Sequence, residues 1–216
     1  MTHVFWDWNG TLLDDTRAAL DTLNIMLARR GGRPIAMDYY RDHFAFPVKP
    51  FYKSIGVCLE NEDWDALARE YHDVYAEQPK RLNPEAVAAL ERAKAAGARQ
   101  SVISALRQDL LEAALRECGI TGYFDCVYGV DNLDGQSKLA RARELLAAVQ
   151  SHHPPQAFVL IGDALHDKEV ADAIGVGCVL CAQGSHAAWR LRAVAPTGDT
   201  LLEALELALK LPNPGD

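Results

Sequence analysis

The sequence predicts an α/β protein: a three-layer core with helices on both faces of a parallel five-stranded sheet, plus a helical cap domain inserted after the first strand. Short apolar runs recur along the chain: HVFW before Asp7, RQSVIS to Ser104, FDCVYG to Gly129, AFVLIG to Gly162 and GVGCVLCA to Ala182. Continuous apolar runs of this length suit strands buried on both faces. Helical patterns separate most of the runs, and that alternation implies crossover connections and a parallel sheet. The stretch 15–80 is helical in pattern with no convincing strand.

In chain order, the first run ends at Trp6 and delivers Asp7. TRAALDTLNIMLARRGG, AMDYYRDHFAFPVKPFYKSIGV and ENEDWDALAREYHDVYAEQ then read as a small helical bundle. PEAVAALERAKAAG (84–97), RQDLLEAALRECG (107–119) and SKLARARELLAAVQ (137–150) are the helices between later strands, the first two stopped by glycine. GDTLLEALELALK supplies a closing amphipathic helix. The expected division is therefore 1–14 with 81–216 as the core and 15–80 as the cap, a size that 216 residues accommodate.

With 49% hydrophobic and 24% charged residues, the composition is that of a soluble globular chain. A net charge of -8 with interspersed signs leaves no basic face for a nucleic acid. No segment reaches the ~20 apolar residues that cross a bilayer, so a cytoplasmic protein, monomeric or homodimeric, is expected. The five cysteines are odd in number and scattered, unlike a disulfide framework. Cys178 and Cys181 form a lone C-x-x-C inside an apolar run, where an odd separation sends them to opposite faces of a strand as core residues.

Ligands of open parallel sheets bind beyond the carboxyl ends of the strands, so polar residues directly after apolar runs are the candidates for chemistry. These are Asp7 in VFWDWNGTLLDD, Ser104 in SVISAL, Lys138 in DGQSKLA, and Asp163 with Asp167 in VLIGDALHDKEVADAIGV. An aspartate can attack phosphorus. Asp7 and Asp163 offer hard oxygen ligands for Mg²⁺, Ser104 can donate to a phosphate oxygen, and Lys138 supplies a positive charge. Each residue alone is more often a cap, a turn residue or a solvated charge. Their shared placement at strand ends is what carries weight.

On these motifs the chain resembles the haloacid dehalogenase (HAD) superfamily, and more closely its phosphoglycolate-phosphatase-like branch. DWNGT matches the family's D-x-D-G-T except at one position, VIS the second motif, Lys138 the third, and GDALHD the fourth, G-D-x-x-x-D. The resemblance implies a Rossmann-like, HAD-like core with an inserted cap, and a Mg²⁺-dependent phosphatase acting on a small phosphorylated metabolite through an aspartyl phosphate at Asp7. It further implies a metal site of Asp7, the Asn9 backbone carbonyl, Asp163 and Asp167, with Thr11, Ser104 and Lys138 at the phosphoryl group. Lys49, in the cap segment FAFPVKPFYK, is the expected contact for an anionic part of the substrate.

Asn9 is the departure. The family's phosphatases carry an aspartate there that protonates the leaving group and later activates water, and losing such help costs ~10²–10⁴ in rate. His166, His43 and His186 are candidate substitutes, and Asn9→Asp is expected to raise hydrolysis of an alkyl phosphate. Two alternatives stay open. One is a phosphonate-cleaving enzyme using Lys49 or Lys53 as a Schiff base; the other is a protein that binds phosphate esters without turning them over. Metal-independent dehalogenation has no use for the Asp163 and Asp167 pair.

Overall fold

The computed structural model describes residues 2–130, 138–152 and 157–211. In chain order its elements are β1 (Thr2–Trp6), β2 (Leu13–Asp14), α1 (Thr16–Arg29), α2 (Met37–His43), α3 (Val48–Ser54), α4 (Trp64–Glu77) and β3 (Arg81–Leu82). There follow α5 (Ala86–Ala95), β4 (Arg99–Arg107), α6 (Gln108–Glu117), β5 (Cys126–Val130), α7 (Lys138–His152), β6 (Ala157–Gly162) and α8 (Leu165–Ile174). The chain closes with β7 (Gly177–Cys181), α9 (Ala188–Arg192), β8 (Thr197–Gly198) and α10 (Leu201–Leu209). Ser137, where the sequence pattern begins the α7 helix, lies outside the described residues.

The main sheet has six strands in the order β5-β4-β1-β6-β7-β8, and every pairing is parallel. Five strands are the apolar runs of the sequence. The sixth corrects the expected count: β8 is two residues long and pairs Thr197 with Leu180 and Gly198 with Cys181. In the sequence it is embedded in APTGDT, where proline and glycine read as a turn.

Residue alternation along the strands divides the core into two layers. Val4 and Trp6 pack with α5, α6 and α10, in the layer built around Leu90, Leu111, Leu115 and Leu205. Phe5 packs on the other face with Leu145 of α7 and Val170 of α8. Cys181 belongs to the first layer and Cys178 to the second, so the C-x-x-C pair is split across the sheet. The sulfurs are free thiols.

Between β2 and β3, helices α1 to α4 share their own apolar cluster, with Leu20, Leu23, Met26, Leu27, Tyr40, Phe51, Tyr52 and Leu67 buried. Where the segment leaves and returns, β2 and β3 pair antiparallel, Leu13 opposite Leu82 and Asp14 opposite Arg81. This ribbon was not foreseen from the sequence; each strand is too short to show a period.

The order of the sheet positions the site. From β1 the chain crosses to β4 and β5 on one side, then back to β6 and β7 on the other. The reversal opens a crevice at the carboxyl end of β1, flanked by the ends of β4 and β6.

Candidate active site

Asp7 directly follows β1, and its backbone N–H donates to the carbonyl of Ile161 at 2.8 Å, tying it to β6. The chain then turns tightly, the Leu13 N–H reaching the Trp8 carbonyl at 2.9 Å. Gly10 sits in this turn with φ 74°, and a Cβ there would overlap the Asp163 carboxylate. Both the backbone conformation and the close approach require glycine. Asp163 directly follows β6, and Asp167 lies in the first turn of α8.

Three carboxylates and one ammonium meet here. Ligand oxygens of Asp7, Asp163 and Asp167 all lie within 4.8 Å of one another. Lys138 Nζ, at the first residue of α7, reaches Asp7 Oδ1 at 2.5 Å and Asp167 Oδ1 at 2.6 Å. All four side chains are buried. The second oxygen of Asp167 accepts from the backbone N–H groups of Asp163 and Ala164, both at 3.0 Å, so one side chain closes the α8 N-terminus and steers the lysine. Asp163 Oδ2 accepts from the Ser185 N–H at 2.6 Å and the Ser185 hydroxyl at 2.5 Å.

The electrostatics follow from burial. Burial, with Asp167 and Asp163 nearby, drives the Asp7 carboxyl well above the usual range, although Lys138 opposes it. Burial and the Asp167 charge push Asp163 up to about 7 against its Ser185 hydrogen bonds. Asp167 also feels burial, but Lys138 and the Ala164 amide hold it below the ordinary carboxylate value. For Lys138 burial disfavours the charge, and the carboxylates of Asp167 and Asp7 overcome it and raise the pKa. Among the described residues one ammonium stands against three carboxylates, which leaves the pocket short of positive charge. Its donor set is all oxygen, which suits a hard divalent cation. The Thr11 hydroxyl, fully buried, has no hydrogen-bond partner among the described residues, leaving a donor for a bound group.

Ser104 is buried near the carboxyl end of β4, its Oγ accepting from the Leu106 N–H at 3.0 Å. Asn9 turns elsewhere. Its Nδ2 donates to Asp15 Oδ2 at 2.7 Å and to the Tyr75 hydroxyl at 3.1 Å.

Lys49 is not brought to the cluster: its Nζ lies 4.5 Å from the centre of the Trp64 ring, on the exposed flank of the helical segment. Lys53 is likewise engaged, paired with Glu60 at 2.8 Å. Of the histidines, His43 donates to its own helix at the Tyr39 carbonyl, 2.9 Å, and stacks on the Tyr39 ring. His166 Nδ1 faces Glu169 at 3.2 Å. His186 Nδ1 accepts from the Leu165 N–H at 2.9 Å, and burial, then Arg190, pushes its pKa down to about 4. These rings brace helices and loops.

Sequence reasoning missed Ser185, Asp15 and Tyr75. Ser185 lies in the loop after the fifth apolar run, where only its neighbour His186 was singled out; Asp15 and Tyr75 are 60 residues apart and nothing local marks them.

A parallel sheet that gathers carboxylates and a lysine at the ends of its central strands defines a class of hydrolytic α/β enzyme. Residues 4–181 match the model of the haloacid dehalogenase-like hydrolase family, and the chain belongs to that family. It is similar to the phosphoglycolate phosphatase of Aquifex aeolicus, 26% identical over 191 residues (85% of this chain, 86% of that protein). The phosphoglycolate phosphatase of Caulobacter vibrioides is 27% identical over 189 residues (84% and 79%). A structure of a predicted phosphatase from Clostridium acetobutylicum aligns with TM-score 0.76 at 17% identity, over 97% of this chain and 99% of that one. The Mycobacterium tuberculosis Protein Tyrosine Kinase A aligns with TM-score 0.74 at 22% identity, over 96% and 97%. Among the described residues no helix is long and apolar enough to cross a membrane.

Proposed function

We propose that the protein is a Mg²⁺-dependent phosphatase that hydrolyses a small phosphate monoester through an aspartyl phosphate at Asp7. The observation that carries this reading is the buried meeting of Asp7, Asp163 and Asp167 with Lys138, in a chain of this hydrolase family. The phosphoglycolate phosphatases among its relatives support a small anionic substrate.

Asp7, Asp163, Asp167 and the Asn9 backbone carbonyl would hold Mg²⁺. Bound there, the ion offsets the charge of the carboxylates and of the phosphate, which otherwise repel. A carboxylate oxygen of Asp7 attacks phosphorus as the ester P–O bond breaks, the leaving oxygen taking its proton from solvent because the Asn9 amide cannot act as an acid, and water later hydrolyses the acyl phosphate to inorganic phosphate and the Asp7 carboxylate. Lys138 opposes the burial that favours the protonated form of Asp7 and presents its ammonium to the phosphoryl oxygens, while Ser104 and Thr11 offer hydroxyls to the same group. Helices α1 to α4 act as the cap that excludes water and selects the ester.

With Lys49 on Trp64 and Lys53 on Glu60, neither lysine of the FAFPVKPFYK segment stands at the cluster for a Schiff-base mechanism. The test is Mg²⁺-dependent phosphate release from a panel of small phosphate esters by the wild type and Asp7→Asn. Release by the wild type alone supports the mechanism. No release by either, with Mg²⁺ binding retained, favours a phosphate-ester-binding protein.

A further inference from the structure

Asp15 is the N-cap residue of α1, yet its carboxylate caps nothing in that helix. Asp63 on α4 and Thr200 on α10 do cap, accepting from backbone N–H groups one turn on. The Asp15 side chain points back to the Asp7 turn instead. Its Oδ1 accepts from the Gly10 N–H at 2.7 Å, and its Oδ2 accepts from Asn9 Nδ2 at 2.7 Å and from the Tyr75 hydroxyl. The carboxylate is only 5% exposed and has no cation among these contacts; donors alone satisfy it, and a buried anion needs such donors.

We propose that Asp15 is a positioning residue that fixes the side chain of Asn9 and makes position 9 require an amide, so that Asn9 and Asp15 form a matched pair joined to the helical segment through Tyr75. The inference rests on the phosphatase reading for its kinetic consequences and on geometry for the rest. An aspartate at position 9 would replace a donor by an acceptor across a 2.7 Å contact and set two carboxylates face to face. The earlier expectation for Asn9→Asp is therefore revised: alone, the change breaks the pair.

The exchanged pair is complementary. In Asn9→Asp combined with Asp15→Asn, the amide oxygen at position 15 accepts from the Gly10 N–H. Its NH₂ group donates to the carboxylate at position 9 and to the Tyr75 oxygen, and the Tyr75 hydroxyl turns to that carboxylate. Every hydrogen bond keeps a donor and an acceptor.

Tyr75 places this pair at a joint. It lies in the last turn of α4, two residues before the helix ends and just ahead of β3, and its ring stacks on Tyr71. Asp15 follows β2. The Asn9 amide therefore touches residues beside both junctions of the helical segment with the β2–β3 ribbon, and the pair links the seating of that segment to the conformation of the Asp7 turn.

The experiment is a double-mutant cycle over Asn9→Asp, Asp15→Asn and the double variant, with melting temperature measured in Mg²⁺ and turnover on an aryl and an alkyl phosphate. Each single variant should melt lower by roughly 5 °C and lose about tenfold or more in kcat on the aryl ester. The double variant should regain most of both losses, and its alkyl-to-aryl rate ratio should exceed that of the wild type, because a carboxylate again stands at position 9. Asp15→Glu, which keeps the charge but not the geometry, should not rescue kcat. Additive effects in the melting temperatures, or a single Asn9→Asp variant as stable as the wild type and faster, would overturn the proposal. The melting cycle is decided without turnover, so an inactive wild type would count against the phosphatase reading while leaving the pairing to be judged on stability.

Discussion

Arg41 of α2 donates from Nε to the carbonyl oxygen of Gly184 at 3.0 Å, and from its guanidinium to Gln183 at 2.9 Å. The contact is reciprocal, since the Ala187 N–H and Arg190 both reach the Arg41 carbonyl, at 3.0 and 2.8 Å. The loop so fastened is the one whose Ser185 holds Asp163. Seating of the helical segment and orientation of a candidate metal ligand therefore share one stretch of backbone.

Arg41→Ala removes two charge-assisted hydrogen bonds, each worth ~1.5–3 kcal/mol, from the seated arrangement. KM for the best ester of the panel should rise about tenfold, and the melting temperature should fall by several degrees because the same bonds belong to the folded state. Steady-state kinetics and a thermal melt check this together; an unchanged KM would separate the latch from substrate capture.

Ser185→Ala deletes the hydroxyl bond to Asp163 and keeps the backbone one. Outer-shell hydrogen bonds of this kind typically account for 10–100-fold in metal affinity, so Mg²⁺ binding measured by calorimetry should weaken by about tenfold. Ser185→Thr should restore it.

Lys138→Met leaves Asp7 and Asp167 buried without their shared cation. Breaking a buried pair in this way costs ~3–5 kcal/mol, which denaturant titration in EDTA should detect. Saturating Mg²⁺ should recover part of the loss, because the ion replaces some of the missing positive charge. A loss no smaller in Mg²⁺ than in EDTA would mean that the carboxylates do not bind it.

His3 gives a pH signature away from the site. Its Nε2 pairs with the Ser101 hydroxyl at 2.8 Å, and burial is the main cause of a pKa lowered to about 4. The folded state therefore binds fewer protons than the unfolded one between pH 6.5 and about 4. Stability from this group is complete above 6.5 and declines as the pH falls through that window, by roughly 3 kcal/mol in all. His3→Gln should flatten that part of the stability profile relative to the wild type.

The sheet was legible in the sequence where burial on both faces produced an unbroken apolar run, as in AFVLIG. β8 was illegible because the pairing of Thr197 and Gly198 with β7 is decided by neighbours, not by their own pattern. Asp7, Lys138, Asp163 and Asp167 could be singled out because a parallel sheet sends the residue after each strand to one edge, a rule that needs no contact information. Ser185 obeys the same rule and was passed over, a serine in a loop having many commoner uses. Lys49 was expected at the substrate because FAFPVKPFYK resembles the substrate-contacting loop of capped relatives, a likeness that says nothing of the Trp64 ring over which its ammonium lies. The Asn9–Asp15–Tyr75 contacts depend on how a helix ending at residue 77 docks, and no local pattern encodes that.

β1 is hydrogen-bonded along both edges, to β4 and to β6, and the bond from Asp7 to Ile161 extends the ladder one residue past the strand. In a hydrogen-exchange experiment the amides from Val4 to Asp7 should be among the last to accept deuterium, opening only when the sheet as a whole opens. Those of α2 and α3, which add no strand to the sheet, should exchange early. The reacting carboxylate would thus be carried by the stiffest ribbon of the molecule while the parts that admit and release substrate belong to its softer fraction, and a mutation that loosened the first would be felt as lost chemistry well before it was felt as lost binding.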